Sequence, residues 1–351
     1  MMRQHRYLAL SACAMAASFA FVWAWAAAMP MSFMEPEYAA WRAKLVMLDR
    51  CDLGDTIILG DSRAAADIMP VRLPFAATNL AIGGGEPIEA LALLKRALSC
   101  PNPPRRLILS FDAGHFSRPD LFWERSVRFG FLSTSDIADL RSVSIATGDT
   151  SIYEERHTDH LPSRLRDWLY LSHFPVYDFA SLLHGAGFLR WPRNLRILNT
   201  TLAQRGQYSF GTASASHDIA VEGHLAGFKP LPVLDHYFHA ILDAADRHGM
   251  QVLFLPMPIN QATYDRIQPA LRRGFTAYLQ GYADRYPRFQ VAGDIIPHRP
   301  DASFGDRFCH MNPSAAERFS DELAQRLRAE PPSPLRDAQY GWFNAGSKRG
   351  S

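Results

Sequence analysis

The sequence predicts a mixed α/β domain built on a central parallel sheet and preceded by one transmembrane helix. Three observations predict it: an uncharged N-terminal run, strand-like segments alternating with helix-like ones in both halves of the remaining chain, and small-residue turns at the strand ends. Alternation implies parallel pairing, because a helix must carry the chain back before the next strand begins.

Arg3, His5 and Arg6 precede residues 7–29, which carry no charge and are rich in Ala, Phe, Val and Trp. A helix of that length crosses a hydrocarbon core of about 30 Å. The basic flank lies on the N-terminal side, so the chain after Pro30 is expected outside, and Trp23 and Trp25 suit the interfacial aromatic belt. Residues 1–30 are therefore read as a single-pass anchor in the inner membrane, with the rest of the chain in the periplasm or extracytoplasmic space. Ala24-Trp25-Ala26 and Ala26-Ala27-Ala28 also offer sites for signal cleavage, but the apolar region exceeds the ~7–15 residues of a signal peptide.

After a juxtamembrane connector (31–54), the first part of the domain spans 55–113. It holds strands at 56–59, 78–82 and 106–111, and a helix at 87–98 whose apolar face is Ile88, Leu91, Leu94 and Ala97. The second part spans 234–330, with a helix to His248 stopped by Gly249, a strand at 251–255, a helix at 263–285, a strand at 289–292 and a last helix at 314–328. Between them, 114–233 breaks into short aromatic and basic segments such as Phe122-Trp123, Trp168, Tyr170 and Trp191, which read as an insertion lying over the site or against a partner. Residues 331–351, which open on Pro-Pro-Ser-Pro and end in a Gly-, Ser- and Lys-containing stretch, read as a mobile tail.

The net charge is +2, with 37 basic and 35 acidic side chains interspersed, so no basic stripe points to nucleic acid. Of four cysteines, Cys13 lies in the span, and Cys51 and Cys100 each stand just before a strand, at the edge where parallel strands begin. In an oxidising compartment Cys51 and Cys100 are expected to pair, the alternative being two buried thiols. No CxxC pair occurs, and His115, His217 and His224 match no ligand spacing, so neither a metal nor a cofactor is expected.

The chemistry is concentrated at two places. The apolar run Ile57-Ile58-Leu59 ends in Gly60-Asp61-Ser62, which presents a serine at the C-terminal end of a parallel strand, where open sheets bind ligands. Far along the chain, Asp306-Arg307-Phe308-Cys309-His310 brings an acid and an imidazole onto one loop. A serine hydroxyl needs a base to take its proton, which His310 supplies in this reading while Asp306, or alternatively Asp301, holds the ring in the right tautomer. Gly83-Gly84-Gly85 follows the second strand, so the N–H groups of Ser62, Gly84 and Gly85 are candidate donors to an oxyanion. Arg63, Asn79, Asp112 and Asn260 are candidate substrate-binding residues.

The order of these blocks resembles the SGNH (GDSL-like) hydrolase and acyltransferase superfamily over about 55–328. Gly60-Asp61-Ser62 is similar to its first block, residues 79–85 to its second and residues 306–310 to its last. Residues 254–260 (Phe-Leu-Pro-Met-Pro-Ile-Asn) and 310–314 (His-Met-Asn-Pro-Ser) extend the likeness. The third block departs: Ser110-Phe111-Asp112-Ala113-Gly114 lacks the family's asparagine, and three residues rather than two separate Asp306 from His310. With the N-terminal anchor, the resemblance is to the membrane-anchored branch that includes DltD-like and alginate O-acetylation proteins. It implies a three-layer α/β/α, flavodoxin-like fold, a Ser62 nucleophile with His310 and Asp306, a multi-pass membrane-bound O-acyltransferase partner, and a cell-envelope polysaccharide acceptor. An esterase of the same fold and a non-catalytic envelope assembly subunit are the alternatives.

Overall fold

The computed structural model describes residues 2–117, 122–154, 162–185 and 189–329; the expected tail at 331–351 lies outside them. Five parallel strands form the central sheet: β1 (Thr56–Gly60), β2 (Ala77–Asn79), β3 (Arg106–Ser110), β4 (Gln251–Phe254) and β6 (Phe289–Val291), in the order β2-β1-β3-β4-β6. A second parallel pair joins β5 (Ile259–Asn260) to β7 (His298–Arg299). β1 is buried along its whole length and pairs in register with β3 from Thr56–Arg106 to Gly60–Ser110. That burial on both faces is why it reads as an unbroken apolar run rather than an alternating one.

The helices are α1 (Met2–Ala28), α2 (Pro36–Asp49), α3 (Ser62–Asp67), α4 (Pro87–Leu98), α5 (Thr134–Thr147), α6 (Ser151–Glu154), α7 (Ser163–Leu171), α8 (Phe179–His184), α9 (Trp191–Ala203), α10 (Pro232–Arg247), α11 (Gln261–Tyr264), α12 (Pro269–Arg285) and α13 (Pro313–Ala329). α4 packs against β1 and α10, α12 against β6, and α13 against α3. α1 is long and apolar enough over Gln4–Ala28 to cross a membrane, and none of its most apolar stretch is buried within the protein.

The connector at 31–54 contains α2, whose Tyr38, Trp41, Leu45 and Leu48 are buried and which packs on α9 of the insertion. Two expectations are corrected. β2 stops at Asn79 rather than running to residue 82: the Asn79 side chain turns back to donate to Ala64 O (2.8 Å) and Ile68 O (2.9 Å), although the N–H groups of Leu80 and Ile82 still follow β1. The helix expected over 263–285 is two, since Pro269 begins α12 afresh and α11 is capped by Asn260, whose side chain accepts from Thr263 N–H.

The disulfide Cys51–Cys100 is formed, with a Cα–Cα separation of 5.6 Å. It joins the approaches to β1 and β3 at the edge of the sheet opposite Ser62 and closes a loop with a sequence separation of 49. In the chain-entropy model such a bridge stabilises by about 4 kcal/mol.

Candidate active site

The strand order places a topological switch point between β1 and β3, because the chain leaves β1 for β2 on one side and returns to β3 on the other. Open α/β sheets bind their ligands at such a point, beyond the carboxyl ends of the strands. Gly60-Asp61-Ser62 leaves β1 at that point and Ser110-Phe111-Asp112 leaves β3 beside it. Gly60 has φ +150°, and a Cβ on it would lie 2.0 Å from Ser110 O, so only glycine lets the two strand ends close up.

Asp61 then starts α3. Its carboxylate accepts from Arg63 N–H (2.9 Å) and Ala64 N–H (3.3 Å), and its other oxygen accepts from Asp112 N–H (3.1 Å) across the switch point. Ser62, the first residue of α3, is half-buried, and among the described residues neither its hydroxyl nor its N–H has a hydrogen-bond partner.

The second half of the site is the loop before α13. His310 is buried, and its Nδ1 stands 2.6 Å from Asp306 Oδ2. The other oxygen of Asp306 accepts from Phe308 N–H (2.9 Å) and His310 N–H (3.3 Å), so the carboxylate ties up its own loop as well as the ring. Burial acts to raise the Asp306 pKa, but the hydrogen bond and charge of His310 outweigh it and hold the group below the usual carboxylate range. Asp301, the alternative partner, is engaged elsewhere, with His217 (2.7 Å) and Ala262 N–H (3.1 Å). The far nitrogen of His310, Nε2, is buried and has no hydrogen-bond partner among the described residues.

Two bonds clamp the serine segment to the histidine segment. Arg63, next to Ser62, donates from Nε to Phe308 O (3.0 Å), and Met311 N–H, next to His310, donates to Asp67 at the end of α3 (2.9 Å). A stretch of the insertion completes the enclosure. Tyr208 N–H donates to Ala65 O (3.0 Å), Phe210 stacks on the His310 ring with centroids 4.6 Å apart, and Ala213 N–H donates to Gly305 O (3.1 Å). Lys44 of α2, buried without a carboxylate, anchors this strap by donating to Asn79 O (3.0 Å) and Gly206 O (2.5 Å). Its burial lowers its pKa to about 7.

Of the candidate oxyanion donors, Gly84 has φ +64° and no backbone acceptor for its N–H among the described residues. Gly85 is corrected: its N–H closes a turn on Ile82 O (3.0 Å) and is not available. Each of the four candidate substrate ligands makes hydrogen bonds within the fold. Arg63 is clasped by Glu222, donating to it from both terminal nitrogens, and lies 3.6 Å from Asp112. Asn79 uses its amide as described and accepts from Ala81 N–H (3.0 Å). Asp112 accepts from Gly114 N–H (2.6 Å) and His115 N–H (3.1 Å). Asn260 donates to Ser216 O and Asp218 O, both at 2.9 Å.

Asp61, Asp112 and His115 present donor atoms within 4.8 Å of one another, close enough to hold a cation. Their chemistry is that of an ion network. Burial alone would lower the His115 pKa, but Asp112 at 3.0 Å, with Asp61 and Glu86, more than offsets it and raises it to about 10, so the imidazole keeps its proton. The protonated ring and Arg63 are the cations of this cluster.

Three residues of the site carried no sequence motif. Phe210 and Glu222 lie in the insertion, where nothing in a single sequence marks a return to the sheet. Glu37 lies in α2, just after α1, and its Oε1 occupies the space a side chain on Gly83 would need, 1.7 Å from the Cβ position. That oxygen is buried and has no hydrogen-bond partner among the described residues. Burial raises the Glu37 pKa, and the opposing pull of Arg125 only partly offsets it.

No protein-family model matches this chain, and no curated protein matches it. An open groove of about 520 Å³ lies between α4 and α10 around Lys95, Asp139 and His236 and shares no residue with this site. The switch point is the better candidate on chemical grounds, since in the outer groove Ser99 Oγ donates to Arg96 O and His248 Nδ1 is held by Ala244 O.

Proposed function

We propose that this protein is a membrane-anchored, extracytoplasmic serine O-acyltransferase of SGNH-like, three-layer fold, moving an acetyl or similar acyl group through a Ser62 ester to a cell-envelope polysaccharide. The observation that carries it is the His310 ring. Asp306 fixes one nitrogen, while the other is buried and unspent on the segment clamped to Ser62. A buried nitrogen without a partner is costly in a purely structural histidine, so it argues for a transient one.

In this reading Asp306 accepts from Nδ1–H, leaving the Nε2 lone pair to take the Ser62 proton. The serine oxygen attacks the acyl carbonyl, and Ser62 N–H and Gly84 N–H donate to the oxyanion. His310 returns the proton to the departing alkoxide, giving the Ser62 ester. An acceptor hydroxyl then loses its proton to Nε2 as it attacks that ester, and the proton returns to Ser62. Phe210 over the imidazole shields the base from water, which favours transfer over hydrolysis. The acyl donor on this view is presented from the membrane side by a multi-pass O-acyltransferase partner.

The test is turnover of a short-chain nitrophenyl ester by the full chain in detergent, with and without oligosaccharide acceptors. Activity lost in both Ser62→Ala and His310→Ala, with folding intact, is the expected result. Acceleration by an acceptor separates the transferase from a plain esterase, and a folded, inert wild type would support the assembly-subunit reading instead.

A further inference from the structure

The insertion makes a second contact with the level of the membrane, beside α1. Trp23 of α1 donates from Nε1 to Ser172 O (2.8 Å) and lies 5.3 Å from Trp168, and Phe19 lies 5.6 Å from Phe174, ring centre to ring centre. These contacts fix a depth. The 25-residue candidate span Gln4–Ala28 is about 37 Å long, against a hydrocarbon core of about 30 Å. Phe19 stands nine residues before Ala28, about 13 Å from the end of the helix. Even if the whole surplus of about 7 Å projected on the outer side, Phe19 would sit roughly 6 Å inside the hydrocarbon boundary, and Phe174 touches it there.

α8 climbs from that depth toward the protein. Its N-terminus follows Phe174 by five residues, and Gly185 at its other end packs against the Phe33 backbone, beyond the end of the span. Along this path most of the exposed side chains are apolar, Trp168 at 51%, Val176 and Phe179 at 64%, Leu183 at 65% and Leu189 at 77%, with Arg164 on α7 and His184 on α8 as exposed polar exceptions. Phe179 and Leu183 are four residues apart on α8 and so share one face. Scattered apolar residues need no explanation, but Phe179 and Leu183 on one helix face, in a segment that also packs on Phe19 and Trp23 of α1, do.

We propose that this face of α7 and α8 is seated in the outer leaflet of the bilayer, as a non-spanning contact that fixes how the Ser62 crevice stands over the membrane. Lipid is the occupant the depth favours, because the surface begins inside the hydrocarbon boundary and continues to the headgroup level, where Trp and aliphatic side chains partition together. The inference rests on α1 crossing the membrane, not on any chemistry at Ser62.

The experiment places an environment-sensitive fluorophore on single cysteines of the full chain in phosphatidylethanolamine/phosphatidylglycerol vesicles containing acyl-brominated lipid. Cys13 serves as the position inside the span. Phe179→Cys, Leu183→Cys and Ile145→Cys are made in a Cys13→Ala background, where Cys51 and Cys100 are bridged and Cys309 is buried. Ile145 is 73% exposed on α5 and serves as the aqueous reference. Quenching at 179 and 183 about twofold or more above that at 145 is expected, with Cys13 quenched most. Quenching at both no greater than at 145 would overturn the proposal and leave a protein as the occupant of this face. An unquenched Cys13 would overturn it at its premise.

Discussion

The two flanks of Ser62 are built on opposite rules. On the flank of Asp61 and Arg63, each charge lies within ion-pair reach of an opposite one: Arg63 with Glu222 and Asp112, His115 with Asp112 and Asp61. On the flank of His310, polar atoms are left over: Nε2 of His310, Oε1 of Glu37, the hydroxyl and N–H of Ser62 and the N–H of Gly84. Buried polar atoms in a folded protein are almost always satisfied. Among the described residues His115 Nδ1, Ser110 Oγ and Asp67 Oδ2 lack hydrogen-bond partners too, so the contrast lies in the charges: Arg63 and Asp112 are ion-paired within the fold, and the proposed role of His310 rests on its unspent nitrogen.

Breaking the unsatisfied flank should remove chemistry and spare the fold. Ser62→Ala is expected to cost on the order of 10⁴-fold or more in ester turnover, with thermal unfolding nearly unchanged. Asp306→Asn should cost about 10³–10⁴-fold, because the amide favours the wrong imidazole tautomer, while Asp301→Asn should leave turnover close to wild type. Parallel rates for the two aspartate variants would contradict the geometry at Asp306.

Breaking the satisfied flank should do the reverse. Arg63→Met strands Glu222 as a buried carboxylate, leaving Asp112 paired with His115 alone, and is expected to destabilise by about 3–5 kcal/mol, read by denaturant unfolding in detergent. A variant that unfolds normally but loses turnover would return Arg63 to the substrate-binding group.

The pH dependence of stability sharpens the comparison through two cations with opposite shifts. His115 titrates in the fold near 10 rather than 6.5, so its contribution is fully present below about 6.5 and is lost as pH rises toward 10. Lys44 titrates near 7 rather than 10.5, so the cost of burying its charge is relieved as pH rises from about 7 to 10.5. The two slopes oppose each other in the wild type. Lys44→Met should make stability fall between pH 7 and 10, and His115→Asn should make it rise, each by a few kcal/mol over the window.

The smallest effect is expected at Glu37. Glu37→Gln keeps the shape beside Gly83 and removes the titration, so it should alter the acceptor KM or the acidic limb of the rate profile by about threefold to tenfold with little change in unfolding. An unchanged profile would place Glu37 with the structural residues.

Much of this was legible in the sequence, for local reasons. β1, α4 and β3 announce themselves through unbroken apolar runs or a helical stripe, and Cys51 and Cys100 through their equal offsets from parallel strands. The Asp306–His310 contact follows from proximity in the chain. What escaped is non-local. Glu222 reaches Arg63 across 159 residues of chain, and Phe210 stacks on a histidine a hundred residues on, so no spacing rule could find them. The partners that Arg63, Asn79, Asp112 and Asn260 find within the fold are not legible either, because a sequence does not reveal which distant groups a polar side chain will meet.

The most direct test is active-site labelling of the full chain with a fluorophosphonate, read by intact mass and peptide mapping. One adduct on Ser62, absent in Ser62→Ala, strongly slowed in His310→Ala and retained in a folded Glu222→Gln variant, is the predicted result. A folded wild type that takes no label at Ser62, or labels equally well without His310, would contradict the assignment of nucleophile and base.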